Sequence, residues 1–595
     1  MHPKLHRFSP PFLLFTLFVC SNALPSLLPM DVGVELFDPT LPPVAPTQTP
    51  KCSIQVLQHE FSAADCNSFA TTSNYTQPDE CPAPWTRVVL EVSLAASGGH
   101  KDRVAAVSIN GAEILRSSTP LTIGSKAYWK VQKDVTRYTS LLSELEYGGK
   151  IAMIVQNNTN SAPSGVLAAN VTLHFYRGPL MGEKVTGPTI AKLGGRPAVK
   201  GLYHEPADLI IPISRGNNYN EDDINDDSIS TSASRNAFWF HVNDESDSHG
   251  SSVTIPRNTY RAILEIFASY HGDDKQWYGN PLQESTIGSS NSNGGLRQIY
   301  ATIDGKYIGS RIPFAVIYPG SVNPYYWTPV TAIGSFDLPS YDLEITPLLN
   351  LLLDGQSHEI AVGVKGGRNF WLLSGNLHLW IDRFSDAVTS GIISYSAPPL
   401  KVTRHAEWGT LDGSSEVDAE GLMKLVGWVS SSKGNLTTMV RQKVTFKSQV
   451  EVQNRGAVTQ VEMINKERME VWVHKGNLVV GRVQVFMEAP LQVQTSRVLA
   501  AGGAIFEKGK LYHQLSEVVN LNMNGVVTTS TMTDRQDAEG SVLMHDGTPV
   551  WGSGSTRSTY QLRDENTCYL RTVNTLGGIV KDDISSPSCD TVADA

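Results

Sequence analysis

The octapeptide RVVLEVSL at residues 87–94 returns in the same order of residue types as RAILEIFA at 261–268. In each, one set of alternate positions is wholly apolar: Val88, Leu90, Val92 and Leu94 in the first, Ala262, Leu264, Ile266 and Ala268 in the second. That period of two is the signature of a strand with one face on a core. Four further blocks recur in the same order. VSINGAEI (107–114) is matched by ATIDGKYI (301–308), and DVTRYTSLL (134–142) by EITPLLNLL (344–352). KIAMIVQN (150–157) is matched by EIAVGVKG (359–366), and NVTLHFY (170–176) by NLHLWID (376–382). Asn-Gly and Asp-Gly between apolar runs are hairpin turns. Five blocks in one order predict two related antiparallel β-domains, sandwich or jelly-roll in type, in tandem.

The boundaries follow from composition. We expect a first β-sandwich over 52–195 and a second over 196–398. The second carries an acidic, weakly apolar loop at 215–236 (RGNNYNEDDINDDSISTSASRN) that is open to solvent and proteolysis. Runs such as RQKVTFKSQVEVQ and MEVWVHKGNLVVGRVQVFMEAPLQVQ lack the block pattern, so 399–595 is expected to form a further β-rich domain. LSELE and ITPLLNLLLDG are the segments that offer a turn or two of helix. The chain as a whole is predicted to be all-β.

The N-terminus has the form of a secretory leader, 1–23. Lys4, His6 and Arg7 precede the short apolar run FLLFTLFVC, and small residues end at Ala23. That run is too short to span a bilayer. Of the six cysteines, Cys20 lies in the leader; the others cluster at the two ends, as disulfide staples would. Pairings within Cys52/Cys66/Cys81 and between Cys568 and Cys589 stay open, with one thiol left over. Asn74, Asn157, Asn170 and Asn435 head glycosylation sequons. A formal net charge of −10 disfavours nucleic acid and anionic membranes as partners. No tight Cys/His spacing points to a metal, and no cofactor motif is present.

The repeat also sorts candidate residues. Glu265 resembles a buried general acid, but Glu91 holds the same place in copy one, which favours a structural role for both. Arg103 has its counterpart in Arg297. Asp102 has none, since copy two has Leu296 there. Two readings stand: a solvated carboxylate paired with Arg103, or a carboxylate held at a sheet rim for chemistry. Copy two carries a long loop, HGDDKQWYGNPLQESTIGSSNSNGG (271–295), where copy one has only AASGGHK. Asp273, Asp274, Trp277, Tyr278 and Glu284 within it combine ring faces and acids, which suit a carbohydrate. The plainer alternative is that the rings pin the loop to its domain. His271 has no evident partner and reads as an ordinary polar residue. No nucleophile elbow or Cys–His pair is found.

KDRVAAVSINGAEILRSSTP, TYRAILEIFASYHGDDKQWYGNP, GSFDLPSYDLEITPLLNLLLDGQSH and NLHLWID resemble the plant and fungal peptide-N4-(N-acetyl-β-glucosaminyl)asparagine amidase A family. The resemblance runs from about Cys52 to the C-terminus, and GSFDLPSYDLEITP is its most specific block. It implies a secreted, glycosylated, metal-independent hydrolase active at acidic pH, bound for the cell wall, vacuole or secretory lumen. It further implies an N-linked glycopeptide substrate, cut at the amide between glycan and asparagine to leave aspartate. A more distant resemblance, to secreted bacterial peptide N-glycosidases of two jelly rolls, rests on an Asp-Arg-x-Ala-x-Val strand, a Thr-Pro and a D-V-T…S-L-L run. Here these are Asp102, Arg103, Ala105 and Val107, then Thr119-Pro120, then Asp134 to Leu142. It implies Asp102 as the catalytic carboxylate with Arg103 beside it; apart from the resemblance, Glu284 of the copy-two loop is the candidate for a second acid. One departure stands out. The family pattern Phe-Arg-Glu-Val reads LRQI here, with Gln298 in the acidic place. A glycan-binding homologue without turnover is therefore the alternative, and a structural wall protein a third.

Overall fold

The computed structural model describes residues 33–43, 48–61, 68–98, 103–121, 126–143, 149–157, 165–177, 206–214, 239–282, 293–523, 525–565 and 568–587. Asp102, Glu284, Cys66, Cys589, the 1–23 leader and the whole acidic loop 215–236 fall outside these.

Two sandwiches stand in tandem, as the repeat predicts. In the first, a five-stranded sheet orders Val34–Leu36, Lys126–Asp134, Arg87–Ser97, Val166–Tyr176 and Cys52–Phe61. A four-stranded sheet faces it: Ser68–Tyr75, Gly149–Asn157, Arg103–Ile109 and Ala112–Ser118. Val88, Leu90, Val92 and Leu94 point into the core between them, against Ala105, Val107 and Ile109. Since strand side chains alternate, the other face of Arg103–Ile109 carries Val104 and Ala106 outward, onto Trp239 and Leu372 of the second sandwich. The first domain thus begins before residue 52, because Val34–Leu36 adds an edge strand in parallel register.

The second sandwich repeats the plan. Leu209–Ile213, Trp371–Ile381, Thr259–Tyr270 and Ser340–Glu344 form one sheet, with Phe240–Val242 also paired to Trp371–Ile381; Ser248–Val253, His358–Lys365, Gln298–Ile303 and Lys306–Arg311 form the other. The repeated hairpins agree in detail. Asn110-Gly111 and Asp304-Gly305 all have positive φ (49° and 82°, 48° and 74°), as the twist-matched two-residue turn requires. Both carry a bulge at the same step, Val107/Ser108 and Ala301/Thr302. One block needs its register corrected. Arg87 lies opposite Tyr176 and Arg261 opposite Trp380, so LHFY (173–176) corresponds to LHLW (377–380), two residues from the alignment by Asn170 and Asn376. The true register equates His174 with His378.

The helical segments are short, among them an α-turn at Thr139–Ser143 and a 3-10 stretch at Thr346–Leu351. From Thr389 to Ser586 the chain folds as one eleven-stranded antiparallel sheet, a meander of strands as long as the 22 residues of Leu478–Leu499. It starts at Thr389 rather than 399. Its inward residues, among them Val417, Leu425, Val461 and Leu511, join the core of the second sandwich. Gly427 permits this approach: a Cβ there would lie 2.2 Å from the Pro347 carbonyl.

Cys52 and Cys81 form a disulfide, and Cys568 is disulfide-bonded as well. Asn74 and Asn435 are exposed, while Asn170 is half-buried. Among the described residues no helix is long and apolar enough to cross a membrane.

Candidate functional site

The strand that follows Asp102 is clamped at its first residue. The Arg103 amide donates to Thr119 Oγ1 (2.8 Å), and the Thr119 amide donates back to the Arg103 carbonyl (2.8 Å). Thr119 thereby closes the hairpin mouth. Arg103 itself is only 3% exposed, so its guanidinium lies inside the protein rather than at an open surface.

That mouth is in turn fastened to the second sandwich by the GSFDLPSYD segment (334–342). The Ser118 amide and hydroxyl both donate to the Ser335 carbonyl (2.8 Å each), and the Leu338 amide donates to the Arg116 carbonyl (2.8 Å). Phe336 stacks on Trp129, and Asp337 receives Lys133 at 2.9 Å. The specificity of this block thus has a physical reason. Ser335, Phe336, Asp337, Leu338 and Asp342 in it dock one sandwich on the other.

Below this seam lies a buried polar network. Arg116 and Glu113, both within 1% of full burial, form a two-pronged ion pair at 2.7 Å on each prong. Arg116 also donates to Ser269 Oγ (3.0 Å) and the Leu372 carbonyl (2.6 Å), while Glu113 accepts from Trp239 Nε1 (3.1 Å) and Ser374 Oγ (2.5 Å). Asn376 bridges to the second cluster, donating to the Glu113 carbonyl (2.7 Å) and to Glu265 (3.1 Å). Glu265 further accepts from Tyr138 (2.8 Å), Ser340 (2.8 Å) and His378 (3.0 Å), and pairs with Arg137 at 3.3 Å. Arg137 reaches Asp342 as well (3.1 Å). Burial alone would push the Glu265 carboxyl up, but Arg137, then His378 and Lys133, hold it well below the usual range. Burial, then the nearby Arg137, pushes His378 down. Its Nε2 meets the Glu265 carboxylate inside the protein.

Glu91 is the same residue in copy one, with His174 in the place of His378, but it faces outward to Lys130 (3.0 Å) and Gln132 (2.8 Å). The Glu–His pair recurs in both copies, and only in copy two is it enclosed by the partner domain. Glu113, Arg116, Arg137 and Tyr138 were not singled out from sequence. A signal existed: Glu113 and Arg116 fall where copy two has Tyr307 and Ser310, the same asymmetry that marked Asp102.

The long loop of copy two meets the hairpin strand through one segment. Phe370 and Leu372 pack with Val104 and Ala106. On the loop side, His271 and Phe370 exchange amide bonds (2.9 and 3.3 Å), and the Asp273 amide donates to the Asn369 carbonyl (2.6 Å). Asp273 is exposed here, the one loop acid of the expected set open to solvent among the described residues. Its neighbour Asp274 is fully buried and acts as a keystone. It accepts from Arg297 Nε and Nη2 (2.8 and 2.7 Å), Trp371 Nε1 (2.7 Å) and the Arg368 amide (2.8 Å). Arg297 thus answers to Asp274, not to the residue before it.

The loop aromatics require a correction. Trp277 is 0% and Tyr278 3% exposed. Trp277 lies edge-on to Tyr270 and against Arg297. Neither ring offers a face to a ligand; apolar burial of both pins the loop to the domain. Gln298 is likewise enclosed. It points toward the hairpin partner strand and donates to Ser310 Oγ (2.7 Å), beside Gln442 of the C-terminal sheet. His271 is buried against Tyr318 and Phe370, bonded to Ser269 (3.0 Å), and burial pushes it well below the usual histidine value. Among the described residues no group of three or more His, Cys, Asp or Glu side chains gathers to hold a metal.

Comparison with known proteins bears on the whole arrangement. Residues 39–398 match the family described as peptide N-acetyl-beta-D-glucosaminyl asparaginase amidase A. The chain is 29% identical over 563 residues to peptide-N4-(N-acetyl-beta-glucosaminyl)asparagine amidase A of Prunus dulcis, covering 91% of each. Among solved structures it is similar to PNGase F, a glycosylasparaginase from Flavobacterium meningosepticum (14% identity, 56% of this chain, 96% of that one, TM-score 0.31). It is also similar to PNGF-II (12% identity, 59% and 66%, TM-score 0.32). With the family match spanning more than half of its length, both sandwiches included, this chain belongs to the peptide N-glycanase A family.

Proposed function

We propose that this chain is a secreted glycoamidase that hydrolyses the amide joining an N-glycan to asparagine in glycopeptides, with Asp102 as the carboxylate that activates water. The observation that carries the reading is the likeness to a named amidase along nine-tenths of both chains, 91% in each case. The clamp that Thr119 places on Arg103, next to Asp102, supports it. In this reading the Asp102 carboxylate takes a proton from water, and the oxygen adds to the amide carbon. The C–N bond then breaks, the glycosylamine leaves with a proton, and aspartate remains. Buried Arg103 acts as a positioning residue whose charge favours the ionised form of the adjacent acid. Asp273, exposed on the docked loop, is placed to accept sugar hydroxyls, and Glu284 is the second acid. The disulfides, the leader and the exposed Asn74 and Asn435 accord with the secretory route.

The test uses the secreted protein and an N-glycopeptide in ¹⁸O-water at acidic pH, read by mass spectrometry. Glycan loss with Asn converted to ¹⁸O-labelled Asp, and its disappearance in Asp102→Asn, is the expected outcome. An intact glycopeptide, beside a glycoamidase that works in parallel, would sink the reading.

Gln298 favours one alternative, a glycan-binding homologue without turnover, because an amide stands where the family pattern has an acid. Gln298 is, however, buried and donates to Ser310 Oγ. Gln298→Glu is expected to change turnover by less than about twofold, since the side chain points into the contact with the C-terminal sheet; a rise above about tenfold would establish the alternative.

A further inference from the structure

The C-terminal sheet keeps one face for the second sandwich. Its other face holds a groove of about 640 Å³ that runs across six neighbouring strands, between Val458–Lys475 and Cys568–Leu576. The registers line its walls up in two rungs. Gln492, Tyr512, Asp537 and Arg557 lie directly opposite one another along the first. Gln494, Lys510 and Glu539 do so along the second. Between the rungs, the inward residues Val493, Leu511 and Ala538 are buried, so the groove floor is strand backbone. Six strands at about 4.8 Å each give a trough roughly 24 Å long. Its volume is in the usual range for a ligand site.

We propose that this groove binds a neutral oligosaccharide, at a site separate from the hydrolytic one. The wall chemistry selects that class. Planar amides, carboxylates and cations alternate, and the charges largely cancel within the wall: Lys510 sits 3.8 Å from Glu539, and Arg535 pairs with Asp537 at 2.8 Å. Such a surface has no net field for a phosphate or a polyamine, yet presents donors and acceptors in rows suited to a chain of hydroxyls. An aromatic face is available on the same side. Trp551 shares its strand face with Ser555 and Arg557, stands about 13 Å from the Ser555 rung, and is 46% exposed. An indole left that open is suited to stacking on the C–H face of a sugar ring.

The choice of an N-glycan as one probe rests on the proposed function; the groove itself does not. Isothermal titration of the full-length protein with a free mannose-rich N-glycan, which has no scissile amide, and with cellohexaose would test it. Binding of either probe is expected, retained in Asp102→Asn and weakened at least about tenfold in Gln492→Ala/Asp537→Ala and in Trp551→Ala. Gln492, Asp537 and Trp551 lie on the solvent face of the sheet, and turnover of a short glycopeptide by the groove variants should be unchanged. Binding of neither probe, or binding that the groove variants keep, would overturn the proposal. Failure of hydrolysis with groove binding intact would count against Asp102 chemistry alone.

Discussion

Replacing Arg137 by Met isolates the electrostatics of the seam between the sandwiches. Arg137 lies 3.3 Å from Glu265, which is 1% exposed. At an effective dielectric of about 20 that contact is worth roughly 332/(20 × 3.3), or about 5 kcal/mol, before the cost of desolvating Arg137. Removing one partner of a buried pair typically costs about 3–5 kcal/mol. Glu265 keeps its bonds from Tyr138, Ser340, Asn376 and His378, so the lower end is expected, about 3 kcal/mol at pH 8. The sign with pH should invert. In the native protein the Glu265 carboxyl is held low, so its contribution is in place above its ordinary value of 4.5 and constant from pH 5 to 8. Without Arg137, the largest opposition to burial is gone, and the Glu265–His378 pair takes up a proton in the folded state. Stability of the variant should then fall as pH rises above 4.5, by up to about 1.4 kcal/mol per unit until the new pKa is passed. Urea denaturation of both proteins at pH 5 and 8 reads this directly. A loss below about 1 kcal/mol at both pH values would refute the reasoning and mean that solvent screens the seam.

Three further outcomes can be checked. Thr119→Val removes the acceptor of the Arg103 amide, and should cost about 1–2 kcal/mol in denaturant titration; if the clamp positions Asp102, kcat falls with little change in KM and Thr119→Ser restores it. Trp277→Ala should destabilise by about 3–5 kcal/mol, with no selective loss of glycopeptide affinity in a folded population, since the ring is a core residue. His513, stacked on Phe314, is pushed down to about 3 by burial, so its neutral form must be charged on unfolding in acid. That contribution is complete above 6.5 and shrinks by about 2 kcal/mol at pH 5, so His513→Gln should flatten the fall in melting temperature between pH 7 and 5.

Much of the architecture was legible because strand periodicity and turn chemistry are local. Asn110-Gly111 and Asp304-Gly305 announce hairpins, and the recurrence of RVVLEVSL as RAILEIFA announces a duplicated sandwich. The register of the last repeated strand was not legible. Aligning Asn170 with Asn376 matches letters, whereas the ladder matches Tyr176 with Trp380 through their partners Arg87 and Arg261. Trp277 and Tyr278 mislead for a related reason. A ring in a long polar loop looks available, and only packing shows that the loop folds back on its own core.

The sequence by itself determined the all-β class, the tandem repeat, the long strands of the C-terminal half and the family likeness, since each depends on residues near one another in the chain. Only the tertiary structure decided which charges are enclosed. Glu91 and Glu265 occupy one position of one repeat, yet one meets solvent and lysine while the other is sealed by Tyr138 and Arg137 from another domain. The difference comes from what lies opposite, and what lies opposite is set by docking, at separations of more than a hundred residues that no local pattern encodes.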